Sequence, residues 1–220
     1  MAGLAQAIHS IELFLDVMLQ QYGTFIYIIL FLIIFSKTAF IIFTFLPGDA
    51  LVFAAAMLAA IGELNGWILF GSLLLATIAG DAHNFFLGTL FRKKFGMRML
   101  NRFISIETIV KTEKLVEQRG GVVIIFSRFI PLMRTTVPFV CAYTNYPFRG
   151  FLSANSIGGF FWLLLWFGAG ISLGQLEWME DNLVYALMIV MCIPFIIPII
   201  FYIFKLIQKQ RTLVKNKKSL

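Results

Sequence analysis

The sequence predicts an all-α integral membrane protein of transporter-like build, in which transmembrane helices are joined by two inverted re-entrant hairpins. Three observations carry that prediction. Of the 220 residues, 60% are hydrophobic and only 13% charged, with a mean hydropathy of +0.90, far outside the range of a soluble domain. The basic residues are gathered into two blocks, and two apolar segments built around prolines resemble one another. A hydrocarbon core of about 30 Å takes about 20 helical residues to cross, and several windows here are that long. A single polytopic domain over residues 1–220 follows. The beginning of the chain lacks the pattern of a removable leader, so an unprocessed integral protein is expected.

Charge placement sets the topology. Fourteen of the 18 Lys and Arg lie either between Arg92 and Arg119 or after Phe204, and the positive-inside rule assigns both regions to the cytoplasm. The connector from Gly174 to Asn182 holds three acids and no base, so it is free to lie on the other side. Leu183 to Ile207 reads as the final span, leading to a cytoplasmic C-terminus. Residues 120–173 must then cross an odd number of times. Gly150 to Leu173 is a clean span, rich in small residues (Gly158, Gly159, Gly168, Gly170) that let helices approach closely. Gly121 to Tyr146 is therefore expected to enter from the cytoplasm and return, with Pro131 at its apex, because broken backbone at membrane depth must be satisfied by protein or water.

The same pattern occurs upstream. Phe43 to Ala60, with Pro47 and Gly48, precedes the span Trp67 to Phe91 as Phe126 to Thr144 precedes the span from Gly150. Each proline has an aromatic two residues before it (Phe45, Phe129), an aliphatic just before (Leu46, Ile130) and a charge soon after (Asp49, Arg134). The two spans run in opposite directions relative to the basic block, so the copies are inverted. Inverted repeats with broken helices place a transporter's site at the repeat interface. The first hairpin is expected at residues 37–62, after a first span holding Tyr22 to Ser36, and the second at 121–146. Residues 92–119 form an interfacial basic loop. Within it Ser105 to Arg119, stopped by Gly120 and Gly121, is expected to show Ile106, Ile109, Val110 and Val116 to the membrane. Leu4 to Gln21 reads as an amphipathic or interfacial helix.

The stretches FLPGD, GDAHNFFLG and FSRFIPLMRTTVPFV, in this order and spacing, resemble the DedA family of bacterial inner-membrane proteins, related to eukaryotic lipid scramblases that share the VTT (SNARE-associated) domain. The resemblance extends from about Tyr22 to about Ile207. It implies a fold of two inverted re-entrant hairpins and, for some members, recycling of undecaprenyl phosphate across the membrane, often coupled to the proton motive force. By position Asp49 matches the family's acid after Pro-Gly, Asp81 its Gly-Asp motif, and Arg128 and Arg134 its two arginines. Lys37 stands where the family usually has a glutamate, and Phe85 and Thr89 where it has a tyrosine and an arginine.

An arginine at the bilayer centre costs about 2.5–3.5 kcal/mol on insertion scales, so two in one hairpin need anions or a wet cavity. The guanidinium fork matches phosphate oxygens, which makes Arg128 and Arg134, with Asp49 and Asp81, the candidate site for the head group of a phosphorylated polyprenyl lipid. The alternative is that each arginine merely pairs with an aspartate to hold the hairpins together. Asp49, Asp81 and Lys37 are the candidates for proton coupling. A lysine opposite Asp49 would hold it ionised and lessen dependence on a proton gradient. His83 is suited to proton transfer near neutral pH, although a histidine near an interface is more often a hydrogen-bonded bystander. His9, Glu63 and Arg149 read as interfacial or turn residues.

Other function classes are disfavoured or kept as rivals. The charge of +7 is accounted for by topology rather than by nucleic acid. Cys141 and Cys192 lie in apolar stretches and predict neither a disulfide nor a metal site, and no cofactor is implied. A membrane phosphatase would need a nucleophile and base beside the arginines, and neither histidine is near them in sequence. A non-specific phospholipid scramblase and a proton-coupled small-ion or drug antiporter using Asp49 and Asp81 stay open as alternatives. Oligomeric state, direction and energetics are not legible in the chain.

Overall fold

The computed structural model describes residues 23–40, 42–43, 46–94, 106–174, 176 and 185. Among them every regular element is helical. Helix α1 (Phe25–Ala39) ends where Phe40 turns to an extended conformation, its N–H still donating to the Ser36 carbonyl. Pro47 then precedes α2 (Gly48–Ala60). Helix α3 (Gly66–Lys94) has 29 residues, about 43 Å at 1.5 Å per residue. It is therefore longer than the hydrocarbon core, and its last turn carries Arg92, Lys93 and Lys94 beyond the apolar stretch. Helix α4 (Ile106–Arg119) follows, then the short α5 (Gly121–Ser127), α6 (Pro131–Tyr143) and the 26-residue α7 (Phe148–Leu173). Helices α3 and α7 are long and apolar enough to cross a membrane.

The two halves repeat one design. Helices α2 and α6 each have 13 residues and end in the same hydrogen-bonded turn. After α2, Gly62 at φ 88° donates to the Ala59 carbonyl and Glu63 to that of Leu58. After α6, Asn145 at φ 64° donates to Ala142 and Tyr146 to Cys141. Both are Schellman turns, which need a left-handed residue and so take Gly or Asn. Asn65 then caps α3, its Oδ1 accepting the N–H groups of Trp67 and Ile68 at 3.1 Å.

Packing is reciprocal as well. In each half the long helix lies against its own first arm, α3 against α1 and α7 against α5, and against the second arm of the other half, α3 against α6 and α7 against α2. Small residues make each approach possible. A Cβ at Gly158 would lie 2.9 Å from the Ile125 carbonyl oxygen, one at Gly88 2.6 Å from that of Phe139, and one at Gly170 2.5 Å from that of Phe53. Gly80 meets the Phe35 carbonyl and Thr38 in the same way. The first core joins Ile26, Leu30 and Ile34 of α1 to Phe53 of α2, Leu69 and Leu73 of α3 and Trp162 of α7. The second joins Phe85, Val123, Ile124, Val137, Cys141 and Phe151. Outward-facing Phe25, Leu32, Leu75, Phe86, Phe161 and Leu165 remain exposed, the apolar surface expected where the solvent is lipid.

Several expectations are corrected. Helix α1 runs through Lys37 to Ala39, so the first break begins later than residue 37, because nothing before Phe40 interrupts helical hydrogen bonding. Pro47, Gly48 and Pro131 lie at the far edge of each break. They open the second arms, where a proline's missing N–H is no loss, and the second break is Arg128–Ile130. There Phe129 and Ile130 donate to the carbonyls of Phe126 and Ser127, so the interruption remains internally bonded. Val116 faces inward to the second core rather than the membrane, whereas Val110 is exposed. Gly168 has open space around it and supports no close contact. In α4, Lys111 donates to Glu107 at 2.5 Å, and that hydrogen bond holds the Glu107 carboxyl below its ordinary range. The expected helix at Leu4 to Gln21, the span at Leu183 to Ile207 apart from Tyr185, His9 and Cys192 lie outside the described residues.

The glycine contacts yield a prediction. Gly88→Val or Gly170→Val forces a branched side chain onto a neighbouring backbone and should destabilise by about 1–3 kcal/mol, whereas Gly168→Val should be silent. Thermal unfolding in detergent micelles, followed by tryptophan fluorescence, checks the contrast.

Candidate functional site

Local rules bring each charged side chain to the junction of the two halves. Asp49 lies in the first turn of α2, where the helix dipole favours an anion. Lys37, near the end of α1, lies across Gly48. A Cβ there would sit 2.5 Å from Lys37 Cδ, so glycine lets the lysine side chain lie directly against the start of α2. Arg134 is in the first turn of α6, Arg128 in the break just before it, and Asp81 in the middle of α3, next to the close contact at Gly80.

The halves exchange partners. Arg134 Nη1 donates to Asp49 Oδ1 at 3.3 Å, across 85 residues, and Lys37 Nζ stands 3.8 Å from the same oxygen. Arg128 Nη2 donates to Asp81 Oδ2 and also to Asn155 Oδ1 of α7, the latter at 2.7 Å. Arg134 is within electrostatic range of Lys37, Asp81 and Arg128, so the two pairs form one cluster. Asp81 is fully buried, and Arg128 and Arg134 are 3% and 5% exposed. With all five groups ionised, three cations face two carboxylates.

Helix α7 supplies the surface on which both arginines lie. A Cβ at Gly159 would stand 3.2 Å from Arg128 Cζ and one at Gly158 3.3 Å from its Cδ, while the Arg134 guanidinium is 4.2 Å above the Trp162 ring. That ring face attracts a cation. Donors remain in excess. Arg128 Nε and Nη1, Arg134 Nε and Nη2 and Asn155 Nδ2 are buried without a protein acceptor, as are the acceptors Asp81 Oδ1, Asn84 Oδ1 and Thr77 Oγ1 without a donor. Buried polar atoms normally find partners, so such a concentration marks a place built for something besides the fold.

All five predicted charged residues therefore meet. Asn155 and Trp162 were not predicted. Asn155 did carry a signal, a lone amide inside an apolar span, but Trp162 is one of several aromatics in its helix and had none. Asn84 donates to the Thr135 carbonyl at 3.0 Å, near Pro138, whose missing N–H removes the helical bond to the carbonyl of Arg134. The His83 ring packs on Phe35 and Phe40. Phe85 stacks on Phe151, and the Thr89 hydroxyl bonds back to the Phe85 carbonyl, so neither is in the charged cluster's hydrogen-bond network. Arg149 is exposed at the start of α7 and Glu63 in its turn. Among the described residues no group of His, Cys, Asp and Glu could hold a metal ion.

Because Arg128 is buried, loss of its carboxylate should be severe. Asp81→Ala is expected to cost about 3–5 kcal/mol, and adding Arg128→Met should recover much of it. Unfolding in micelles of rising SDS content measures both.

Residues 46–172 match the VTT domain family. The chain is 35% identical to protein DedA of Escherichia coli K12 over 195 residues, 86% of this chain and 89% of that one. It is 30% identical to an uncharacterised membrane protein of Mycobacterium leprae, covering 69% of this chain and 68% of that one. It is also 26% identical to a protein of Lactococcus lactis named alkaline phosphatase-like, over 94% and 95% of the two chains. No solved structure matches the chain. The domain match over residues 46–172, more than half of the chain, together with the likeness to DedA along most of the sequence, makes this chain a member of the DedA family of VTT-domain membrane proteins.

Proposed function

We propose that this protein is a transporter that carries a phosphorylated polyprenyl lipid, of the undecaprenyl phosphate kind, across the bacterial inner membrane. In this reading the two helix–break–helix segments are inverted re-entrant hairpins, residues 92–119 and the C-terminus are cytoplasmic, and the cluster between the hairpins receives the head group while the isoprenoid tail stays in lipid. One observation carries it: Arg128 and Arg134 are both buried with unused N–H donors, among charged groups that hold one more cation than anions. A phosphate supplies both the charge and the acceptor oxygens.

The aspartate pairs also favour a second reading, in which the arginines serve only to lock the halves together and lipids pass without head-group selection. Exchanging the partners, Asp49→Arg with Arg134→Asp, separates the two. A lock is restored by the exchange and transport returns, whereas a binding site stays defective even where stability recovers. An antiporter is less well supported, since both carboxylates are already engaged by arginine. Catalysis lacks a nucleophile and base beside the arginines, and the relative's phosphatase-like name adds no such group here. Release of phosphate from the lipid by purified protein would overturn the non-enzymatic reading.

In liposomes, wild-type protein should bind and move undecaprenyl phosphate selectively, and Arg128→Ala and Arg134→Ala should each abolish this. Unselective movement that survives both substitutions would instead identify a scramblase. Lys37 beside Asp49 makes a further outcome specific. Collapsing the proton gradient should slow this transporter less than relatives with glutamate at that position; equal inhibition of both would count against the role given to Lys37.

A further inference from the structure

Resting on that reading of the site, we propose that Asn155 and Trp162 are the positioning residues that make the two arginines into one phosphate clamp, and that head-group selectivity is set by this face of α7. The two residues are seven apart, which puts them on one helix face about two turns from each other, with Gly158 and Gly159 between. Each holds one arginine by a different force. The Asn155 carbonyl oxygen accepts from Arg128 Nη2 at 2.7 Å, and the side chain of Arg128 lies flat along the two glycines. The Trp162 ring, 1% exposed, carries the guanidinium of Arg134 on its face.

The uncommitted atoms give the purpose of this arrangement. Asp81 takes the same Nη2 of Arg128 as Asn155 does, and Asp49 takes only Nη1 of Arg134. Nε and Nη1 of Arg128, which lie on different edges of its guanidinium, and the Nε and Nη2 edge of Arg134 remain, together with the Asn155 amide nitrogen, which is itself buried and without an acceptor. One free guanidinium edge from Arg134, two further N–H donors from Arg128 and an amide, all held against one helix, suit a tetrahedral oxyanion. Asn155 thus both orients Arg128 through its oxygen and offers its nitrogen to the same anion. A neutral head group would leave these donors unpaired, at a desolvation cost that discriminates against it.

The test compares binding of a polyprenyl monophosphate and the matching uncharged polyprenol to purified protein in detergent, by calorimetry. Asn155→Asp preserves shape and the acceptor for Arg128 but removes the amide donors and adds a negative charge. It should weaken the monophosphate about tenfold or more, some 1.4 kcal/mol, and leave the polyprenol unchanged. Trp162→Leu should weaken it roughly two- to thirtyfold, with Trp162→Phe between it and wild type. Melting temperatures identify any variant that fails to fold, and Asn155→Asp, which should keep its bond to Arg128, then decides alone. Variants that bind the monophosphate as wild type does, or that lose both ligands equally, overturn the positioning role while the transport reading stands. Wild-type protein that does not distinguish the two ligands overturns the transport reading and this inference together.

Discussion

Burying charge in an apolar protein is the constraint on which the rest of this structure depends. A guanidinium taken out of water loses several kcal/mol of solvation, and its attraction to a carboxylate repays that only where geometry and extra hydrogen bonds are good. Here two arginines and a lysine are enclosed with two aspartates, and each arginine has one carboxylate from the opposite half. The halves cannot separate without exposing lipid or apolar side chains to bare charge. The same pairs that make the junction costly to open also tie it together.

The broken helices follow from that requirement. A continuous helix would point its side chains around a cylinder and satisfy its own backbone, leaving no room for convergent charges. Interrupting two helices next to Pro47 and Pro131 brings the first turn of α2 and the first turn of α6 to the same place, with Arg128 in the break itself. The second break is tolerated because the short turn at Arg128–Ile130 bonds internally. Glycines at the crossings, Gly80 and Gly88 on α3 and Gly158 and Gly170 on α7, let backbones approach to a distance no side chain would allow.

In the function proposed here, binding and stability are drawn from the same atoms. The aspartates neutralise most of the cationic charge, which lets the cluster exist in the absence of substrate, yet they engage only part of each guanidinium. What they leave over is a set of directed donors with a residual positive charge. In transporters built from inverted repeats, a site at the interface can be approached from either side as one half moves against the other. An anion bridging Arg128 and Arg134 would contribute to the contact between the halves, giving the bound state a direct influence on how they meet.

The sequence by itself determined the class of protein, the two long apolar helices, the neighbourhoods where helices break and the charged residues that the fold buries together. These are local properties: a run of apolar residues, a proline without an N–H, a glycine that permits a turn, a charge whose burial demands explanation. One small error of placement was local too: α1 continued through Lys37. Only the tertiary structure decided which aspartate meets which arginine. Two aspartates and two arginines allow alternative pairings, and the choice depends on which helix faces meet across 47 and 85 residues of chain. The same holds for Asn155 and Trp162. An amide and an indole in a greasy helix acquire a role only when α7 lies beneath both guanidinium groups, an arrangement set by packing between halves that no single stretch of sequence encodes.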